Sequence, residues 1–592
     1  MAYAIVGWVV IEIASVAGPA LRLPEWTTSF VVFLIILGLP VALIFAWAFE
    51  LTPEGLKLEK DVDRSQSITS STGRKLDIAI IALLIMGVTY FAVDKFVFDP
   101  GRDAIEIEAA VQSVQDASGV GSDSSKSIAV LPFVNMSDDA SNEYFSDGLS
   151  EELLNLLAKI PELRVAARTS SFSFKQRPEV TASEIAKILN VAHVLEGSVR
   201  KSGDQVRITA QLIKASDGYH VWSETYDRKL ENIFETQDEI AAAVTESLKV
   251  TLLGTAPKSW KTDAGAYELF LQGQFFVHVG SNESLRKSIA LFKRVLEIDP
   301  EYTPAWASLS ESYFWLAAYG GMTDDEGDYL IDEAIARAMA TGHDYAWTYY
   351  VKGMKQAAFD LDMAAGAANL RKAMELDPSK PDILFGNGAI AMDYGRFAEA
   401  LTLLRRALQL DPLRPRFQEF LGRTYMGMDM LDEAAEAFRR QAELSPGYPS
   451  AWYRNARILV LRGRTPEALD ILQQESSENY HLTGLAMVHF TLGNFDEADR
   501  ALTQLIDEYS ASMAFQIAEV YAARQDMDNA FLWLENAYET HDTGLITMLA
   551  VPEFRFLHSD PRWASFLEKT VFLEAWQAMP PEHGGPGYAA ND

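Results

Sequence analysis

The sequence predicts a multi-domain chain with three parts: three transmembrane helices, a two-layer α/β domain, and an all-α solenoid of helical hairpins. Three observations carry that reading. Residues 2–21, 28–49 and 76–93 are apolar runs, each about long enough to cross ~30 Å of hydrocarbon. Residues 127–255 switch between period-two alternation and helical spacing, the pattern of strands and helices sharing one core. Between residues 264 and 540 helix-ending prolines recur, and Pro378, Pro412 and Pro446 stand 34 apart.

The chain has 592 residues, with 83 acidic against 51 basic side chains and a formal charge of −32. A body this acidic is repelled by phosphate backbones, so nucleic acid is not an expected partner. Cysteine is absent, which removes disulfide frameworks, thiolate metal sites and cysteine nucleophiles. With 48 % apolar residues, each part can still bury a sizeable core.

The loop between the second and third apolar runs carries Lys57, Lys60, Arg64, Arg74 and Lys75, whereas the loop between the first two carries Arg22. By the positive-inside rule the basic loop is cytoplasmic, which sends everything after about residue 94 to the far side of the membrane. Glu12 falls mid-run, where an ionised carboxylate costs ~2.5–3.5 kcal/mol, so it is expected at a helix–helix contact. Residues 94–126, rich in Asp, Ser, Gly and Ala, read as a polar stalk.

The next stretch opens on SIAVLPF (residues 127–133), a short apolar run ended by Pro132 and expected as a buried strand. Leu149, Leu153, Leu156, Leu157 and Ile160 then repeat at helical spacing, and residues 163–169 read as a second strand. Thr181 and Glu184 form a T-x-x-E capping box for a further helix. Residues 191–201 and 205–214 alternate around Ser202-Gly203-Asp204, the mark of an antiparallel hairpin. A strand at residues 220–226 and a helix through Ile233, Ile240, Val244 and Leu248 complete a two-layer α/β domain at residues 127–255.

In the remaining half, Pro300 lies 78 before Pro378, two periods plus ten, and the surplus fits a loop at residues 320–328. Gly388, Ala400 and Ala407, then Leu421, Gly422, Tyr425, Ala434 and Phe438, then Trp452, Gly463 and Ala468 keep step with the period. This pattern resembles tetratricopeptide repeats and implies about eight hairpins over residues 264–540, then a helical cap (541–572) and a disordered tail (573–592). In the register of that family, Arg416, Arg423, Tyr453 and Arg457 lie on the inner groove beside Phe385 and Met426. Arginine forks recognise carboxylates bidentately, which makes these six the candidate partner-binding residues. The competing reading pairs the arginines with Glu419 and neighbouring acids along a solvated groove.

SIAVLPF, FSDGLSEELLNLLAKIPELRVAARTSSFSFK and LEGSVRKSGDQVRITAQLIKASDGYHVWSETYDR together look like the amino-terminal domain of TolB. The whole chain, including LPEWTTSFVVFLIILGLPVALIFAWAFELTPEGLKLE, is similar to a bacterial group of membrane-anchored proteins that join a TolB-like domain to tetratricopeptide repeats. Some relatives carry a nucleotide cyclase or a winged helix ahead of the first span, and here neither output domain is expected. The resemblance implies an inner-membrane location with the residues after about 94 in the periplasm, and protein or peptide partners in the cell envelope.

No catalytic constellation is present. The sequence holds no G-x-x-x-x-G-K-[ST], H-E-x-x-H or G-x-S-x-G, and its nine histidines show no pair at i+3 or i+4. Pairs such as Asp138-Asp139 and Glu151-Glu152 suit solvated loops and helix starts. The expected function is therefore a non-enzymatic periplasmic interaction scaffold without cofactor or metal. The alternative is a transmembrane receptor or adaptor that relays a signal to a separate cytoplasmic partner.

Overall fold

The computed structural model describes residues 49–52, 55–58 and 126–587, apart from 161, 176, 178, 249–258 and 361. The chain divides into two compact units, residues 1–109 and 110–592. In the first, strands β1 (Phe49–Thr52) and β2 (Gly55–Leu58) pair antiparallel. The expectation of three membrane-spanning helices is corrected: among the described residues no helix is long and apolar enough to cross a membrane. Phe49, expected to end the second run, instead opens a strand, because Phe49-Glu50-Leu51-Thr52 alternates with the period of two that suits pleated backbone. The remainder of those runs, with Glu12 and the stalk up to residue 125, lies outside the described residues.

The second unit begins with a mixed six-stranded sheet in the order β5-β3-β6-β7-β8, with β4 also on β6. Its strands are β3 (Ser127–Val130), β4 (Val134–Asn135), β5 (Arg164–Val165), β6 (His193–Ser202), β7 (Gln205–Lys214) and β8 (His220–Lys229). Strand β3 runs parallel to both β5 and β6, while β6, β7 and β8 form an antiparallel meander. Every residue of β3 is buried, and its side chains alternate between two cores. Ile128 and Val130 join α1 (Glu143–Ala158) and α4 (Ile233–Ser247) through Leu149, Leu153, Ile240 and Val244. Ala129 joins Ile185 and Leu189 of α3 (Ala182–Leu189), whose start is the Thr181–Glu184 capping box. Helices therefore flank both faces of the parallel strands, where two layers were expected. The second strand is also shorter than its expected 163–169: it ends at Val165, and Arg168–Phe172 form the short helix α2.

Sixteen helices follow among the described residues, arranged as eight antiparallel hairpins. They are α5 (Ala264–Val279) with α6 (Asn282–Ile298), α7 (Thr303–Ala318) with α8 (Asp324–Ala340), α9 (Ala346–Ala358) with α10 (Met363–Leu376), and α11 (Pro381–Asp393) with α12 (Phe397–Leu410). Then come α13 (Pro415–Gly427) with α14 (Leu431–Leu444), α15 (Ala451–Leu461) with α16 (Thr465–Leu472), α17 (Glu478–Thr491) with α18 (Phe495–Tyr509), and α19 (Ala514–Ala523) with α20 (Met527–Glu539). Prolines occupy the first turns of α7, α11 and α13, where a missing N–H costs nothing. Small residues set the helix spacing: a Cβ on Gly422 would lie 2.7 Å from the Phe438 ring across the hairpin. The expected loop at 320–328 is shorter than foreseen, because α8 begins at Asp324 behind its Thr323 N-cap.

After α20 the chain folds back. Two 3₁₀ segments, Thr543–Ala550 and Pro552–Ser559, lead into α21 (Pro561–Lys569) and α22 (Leu573–Gln577). The tail expected to be disordered is ordered to residue 587. It is anchored by one apolar and one polar contact: Met579 is buried against Gly395, and the Trp576 indole donates to the Gly584 carbonyl at 2.8 Å. Gly395 has φ +67° and its absent Cβ would meet the Met579 sulfur at 2.4 Å, so both backbone and packing require glycine there.

The α/β module is docked on the solenoid within this unit. The Gln237 amide lies 2.5 Å from the Tyr267 hydroxyl, and Lys201 pairs with Glu268 at 2.7 Å on the first hairpin. At the fourth and fifth hairpins, Ala167 N–H donates to the Leu410 carbonyl at 2.7 Å and the Ser170 hydroxyl to Asp411 at 2.5 Å. One apolar cluster runs without a break from the sheet through Tyr267, Phe270 and Phe292 into the hairpins.

Candidate functional site

The first helices of neighbouring hairpins touch one another, α7 with α9, α9 with α11, α11 with α13, α15 with α17 and α17 with α19, and line one face of the solenoid. Their residues build the site. On α7, Glu311 accepts a hydrogen bond from the Trp347 indole of α9 at 2.7 Å, and Trp315 also bonds this carboxylate. Burial among these rings pushes the Glu311 carboxyl up to about 7, with nearby Asp382 adding to the rise. Trp347 stacks on Tyr350 at 4.5 Å, and the Lys380 ammonium sits 5.2 Å over the Trp347 ring. Asp382 pairs with Arg414 at 3.3 Å.

On α11 and α13 the rings continue as a shelf. Phe385 stacks on Phe417 at 4.8 Å and meets Phe420 edge-on at 4.8 Å. The Arg416 guanidinium lies over Phe385 at 5.1 Å and Phe420 at 5.7 Å, and it has no carboxylate within ion-pair distance among the described residues. Arg423 lies over Phe420 at 5.4 Å and pairs with Glu419 at 3.3 Å. Burial opposes charge on Glu419, yet Arg454, Arg423 and Arg416 hold its carboxyl below the usual range. Asp393, at the end of α11, is buried with one carboxylate oxygen unbonded, and burial pushes that carboxyl well above its ordinary value.

From the ends of α11 and α13 onward the chain itself covers this face, and it leaves the part near Glu311 and Arg416 open. Arg457 of α15 is clamped between two carboxylates, Glu519 of α19 at 2.7 Å and Glu553 of the second 3₁₀ segment at 2.7 Å. Arg555 donates to the Gly427 carbonyl at 2.8 Å and pairs with Asp429. Phe554 packs on Phe515 at 5.5 Å, Phe572 on Tyr394 at 6.1 Å, and the first 3₁₀ segment lies against α11 and α13.

This corrects the expected groove. Of its six residues, Phe385 (3 % exposed), Met426 (4 %), Tyr453 (2 %) and Arg457 (5 %) are buried and cannot meet a partner as they stand. Arg416 and Arg423 remain half-buried on the open part. Repeat register places a side chain on the inner face, but it carries no information on what else occupies that face. The competing reading holds for Arg423, which pairs with Glu419, and not for Arg416. Sequence reasoning missed Glu311, Trp347 and Asp382, although Asp382 stands one 34-residue period before Arg416 and was open to the same register argument. Among the described residues no group of His, Asp or Glu side chains is arranged to hold a metal ion.

Known proteins match this chain in pieces. Residues 361–424, 425–481 and 483–544 match tetratricopeptide-repeat models, so this part of the solenoid is made of tetratricopeptide repeats. Residues 124–243, the stretch that resembled TolB, match the model of the second domain of HilA/YgeH-like transcriptional regulators. A protein of Rhizobium meliloti (strain 1021) named "Putative adenylate cyclase 3" is 40 % identical over 189 residues, 31 % of this chain. The chain spans about a third of that relative's length, 32 %. Among solved structures, Pseudomonas aeruginosa PilF is 20 % identical with a TM-score of 0.30, the match covering 37 % of this chain and 96 % of PilF. PilW, a type IV pilus biogenesis factor, is 17 % identical with a TM-score of 0.29, over 44 % of this chain and 99 % of PilW.

Proposed function

We propose that this protein is an interaction scaffold whose solenoid holds a peptide segment of a protein partner along the open inner face between α7 and α13. The observation that carries the reading is Arg416: a half-buried guanidinium on an aromatic shelf, with no carboxylate partner among the described residues. A protein of net charge −32 has acids to spare, and a cation left without one is a place for a carboxylate from elsewhere. Selection of a displayed peptide library on the full chain tests this. Arg416→Glu should lose the selected peptides while melting as the wild type does, and retention of the same peptides at the same salt dependence would refute it.

A second reading, a signalling adaptor, is favoured by the match of residues 124–243 to a domain of transcriptional regulators and by the relative named as a cyclase. Tetratricopeptide repeats are themselves non-catalytic, and incubation of the purified chain with ATP separates the readings: cyclic AMP formation would make the protein an enzyme. Residence outside the cytoplasm belongs to the first proposal. A carboxy-terminal alkaline phosphatase fusion should then be active, and an inactive fusion would remove that part.

A further inference from the structure

The open part of the inner face carries an ionisable group without an ion-pair partner among the described residues at each end. At one end Glu311 is held by two neutral indoles, Trp347 at 2.7 Å and Trp315, and no cation lies within ion-pair distance among the described residues. Lys380, whose charge acts on Glu311, is turned to the Trp347 ring and to Asn155 of the α/β module at 3.3 Å. At the other end, on α13, Arg416 lies over two rings, with no carboxylate within ion-pair distance among the described residues. Between them the charges are already matched, Asp382 by Arg414, and the half-buried rings of Trp347 and Phe420 lie over the buried Tyr350 and Phe385.

The closed part of the same face shows what kind of segment such a surface holds. There the occupant is the chain's own 3₁₀ segment Pro552–Ser559, which sets an acidic side chain, Glu553, on Arg457 and, two residues on, a basic one, Arg555, on a carbonyl and an aspartate. A segment outside the repeats carrying charges of both signs is therefore an occupant this face already accepts. Glu311 and Arg416 stand on α7 and α13, three helix-to-helix steps apart at roughly 8–10 Å each, which an extended chain at ~3.3 Å per residue covers in about seven to nine residues.

We infer that the open groove is a polarised peptide site, taking an extended partner segment that sets a basic side chain against Glu311 and an acidic side chain on Arg416, about seven to nine residues apart. The inference rests on the scaffold reading and adds the partner's charge pattern to it. An acid on Arg416 gains a fork already oriented by Phe385 and Phe420.

The test is fluorescence anisotropy of the full chain with labelled, end-blocked nine-residue peptides of Ala, Leu and Tyr. One carries Lys near the start and Glu near the end, one the reverse order, and one Gln at both places. One charged order should bind about tenfold tighter than the other two peptides. Glu311→Gln should erase the advantage of the lysine and Arg416→Gln that of the glutamate, each without loss of thermal stability. Equal binding of both orders, or indifference to Glu311→Gln with loss on Arg416→Gln, would overturn the polarity and leave the scaffold reading standing. Failure of every peptide, including library-selected ones, would remove both. Self-association of the full chain that either substitution abolishes would make the occupant a second copy and overturn the inference.

Discussion

Replacing Arg457 by methionine keeps the length of the side chain and removes the guanidinium shared by Glu519 and Glu553. All three groups are buried, so the carboxylates are left facing each other without solvent. Breaking a buried ion pair costs ~3–5 kcal/mol, and two orphaned acids put this case at the upper end. Protonation limits the loss. Neutralising a carboxyl of ordinary pKa ~4.3 at pH 7 costs about 3.7 kcal/mol at 1.36 kcal/mol per unit, and about 1 kcal/mol at pH 5. The penalty should therefore shrink by roughly 3 kcal/mol between pH 7 and pH 5 if one acid takes up the proton. The assay is amide hydrogen exchange of the full chain, read at the 3₁₀ segment Pro552–Ser559 and at α19, because local opening is reported there even when global unfolding is not two-state. Protection should fall by a hundredfold or more at pH 7, on the scale of tenfold per ~1.4 kcal/mol, and recover largely at pH 5. Adding Glu519→Leu and Glu553→Leu should restore most of it. A loss below about 1 kcal/mol at pH 7, or one independent of pH, would refute the clamp as the fastening of the carboxy-terminal segment.

Ala434 is fully buried between α13 and α14, so Ala434→Arg should cost ~3 kcal/mol or more, seen as a large drop in the thermal melt. Glu311 titrates at about 7 when folded and at ~4.3 when unfolded, so between those pH values the folded state holds the extra proton and stability falls as pH rises. Glu311→Gln should remove that slope: its melt should exceed the wild type at pH 8 by on the order of 1 kcal/mol, after allowance for solvent screening, and match it near pH 4. Asp411→Ala deletes the acceptor of the buried Ser170 hydroxyl, which itself accepts from Leu413 N–H at 3.0 Å. The expected cost is ~1–3 kcal/mol, with faster exchange of the Ala167 and Leu413 amides while the β6–β7 ladder stays protected.

What the sequence determined by itself was local. The 34-residue period of Pro378, Pro412 and Pro446 marks helices because each repeat must present the same face to its neighbours, and the alternation about Ser202-Gly203-Asp204 marks the β6–β7 hairpin because successive side chains of a strand point to opposite faces. The capping box at Thr181 and Glu184 is local in the same sense, two side chains three residues apart. Only the tertiary structure decided which inner-face residues are free. Glu553 reaches Arg457 across 96 residues and Asp411 reaches Ser170 across 241, and no periodicity joins positions so far apart. The apolar runs near the start show the opposite failure, a composition legible as membrane spans whose one described residue, Phe49, lies in a strand. Composition and register report the face a side chain belongs to. Whether that face is open, as at Arg416, or closed by the chain's own fold, as at Arg457, is set by long-range packing, which a linear pattern does not encode.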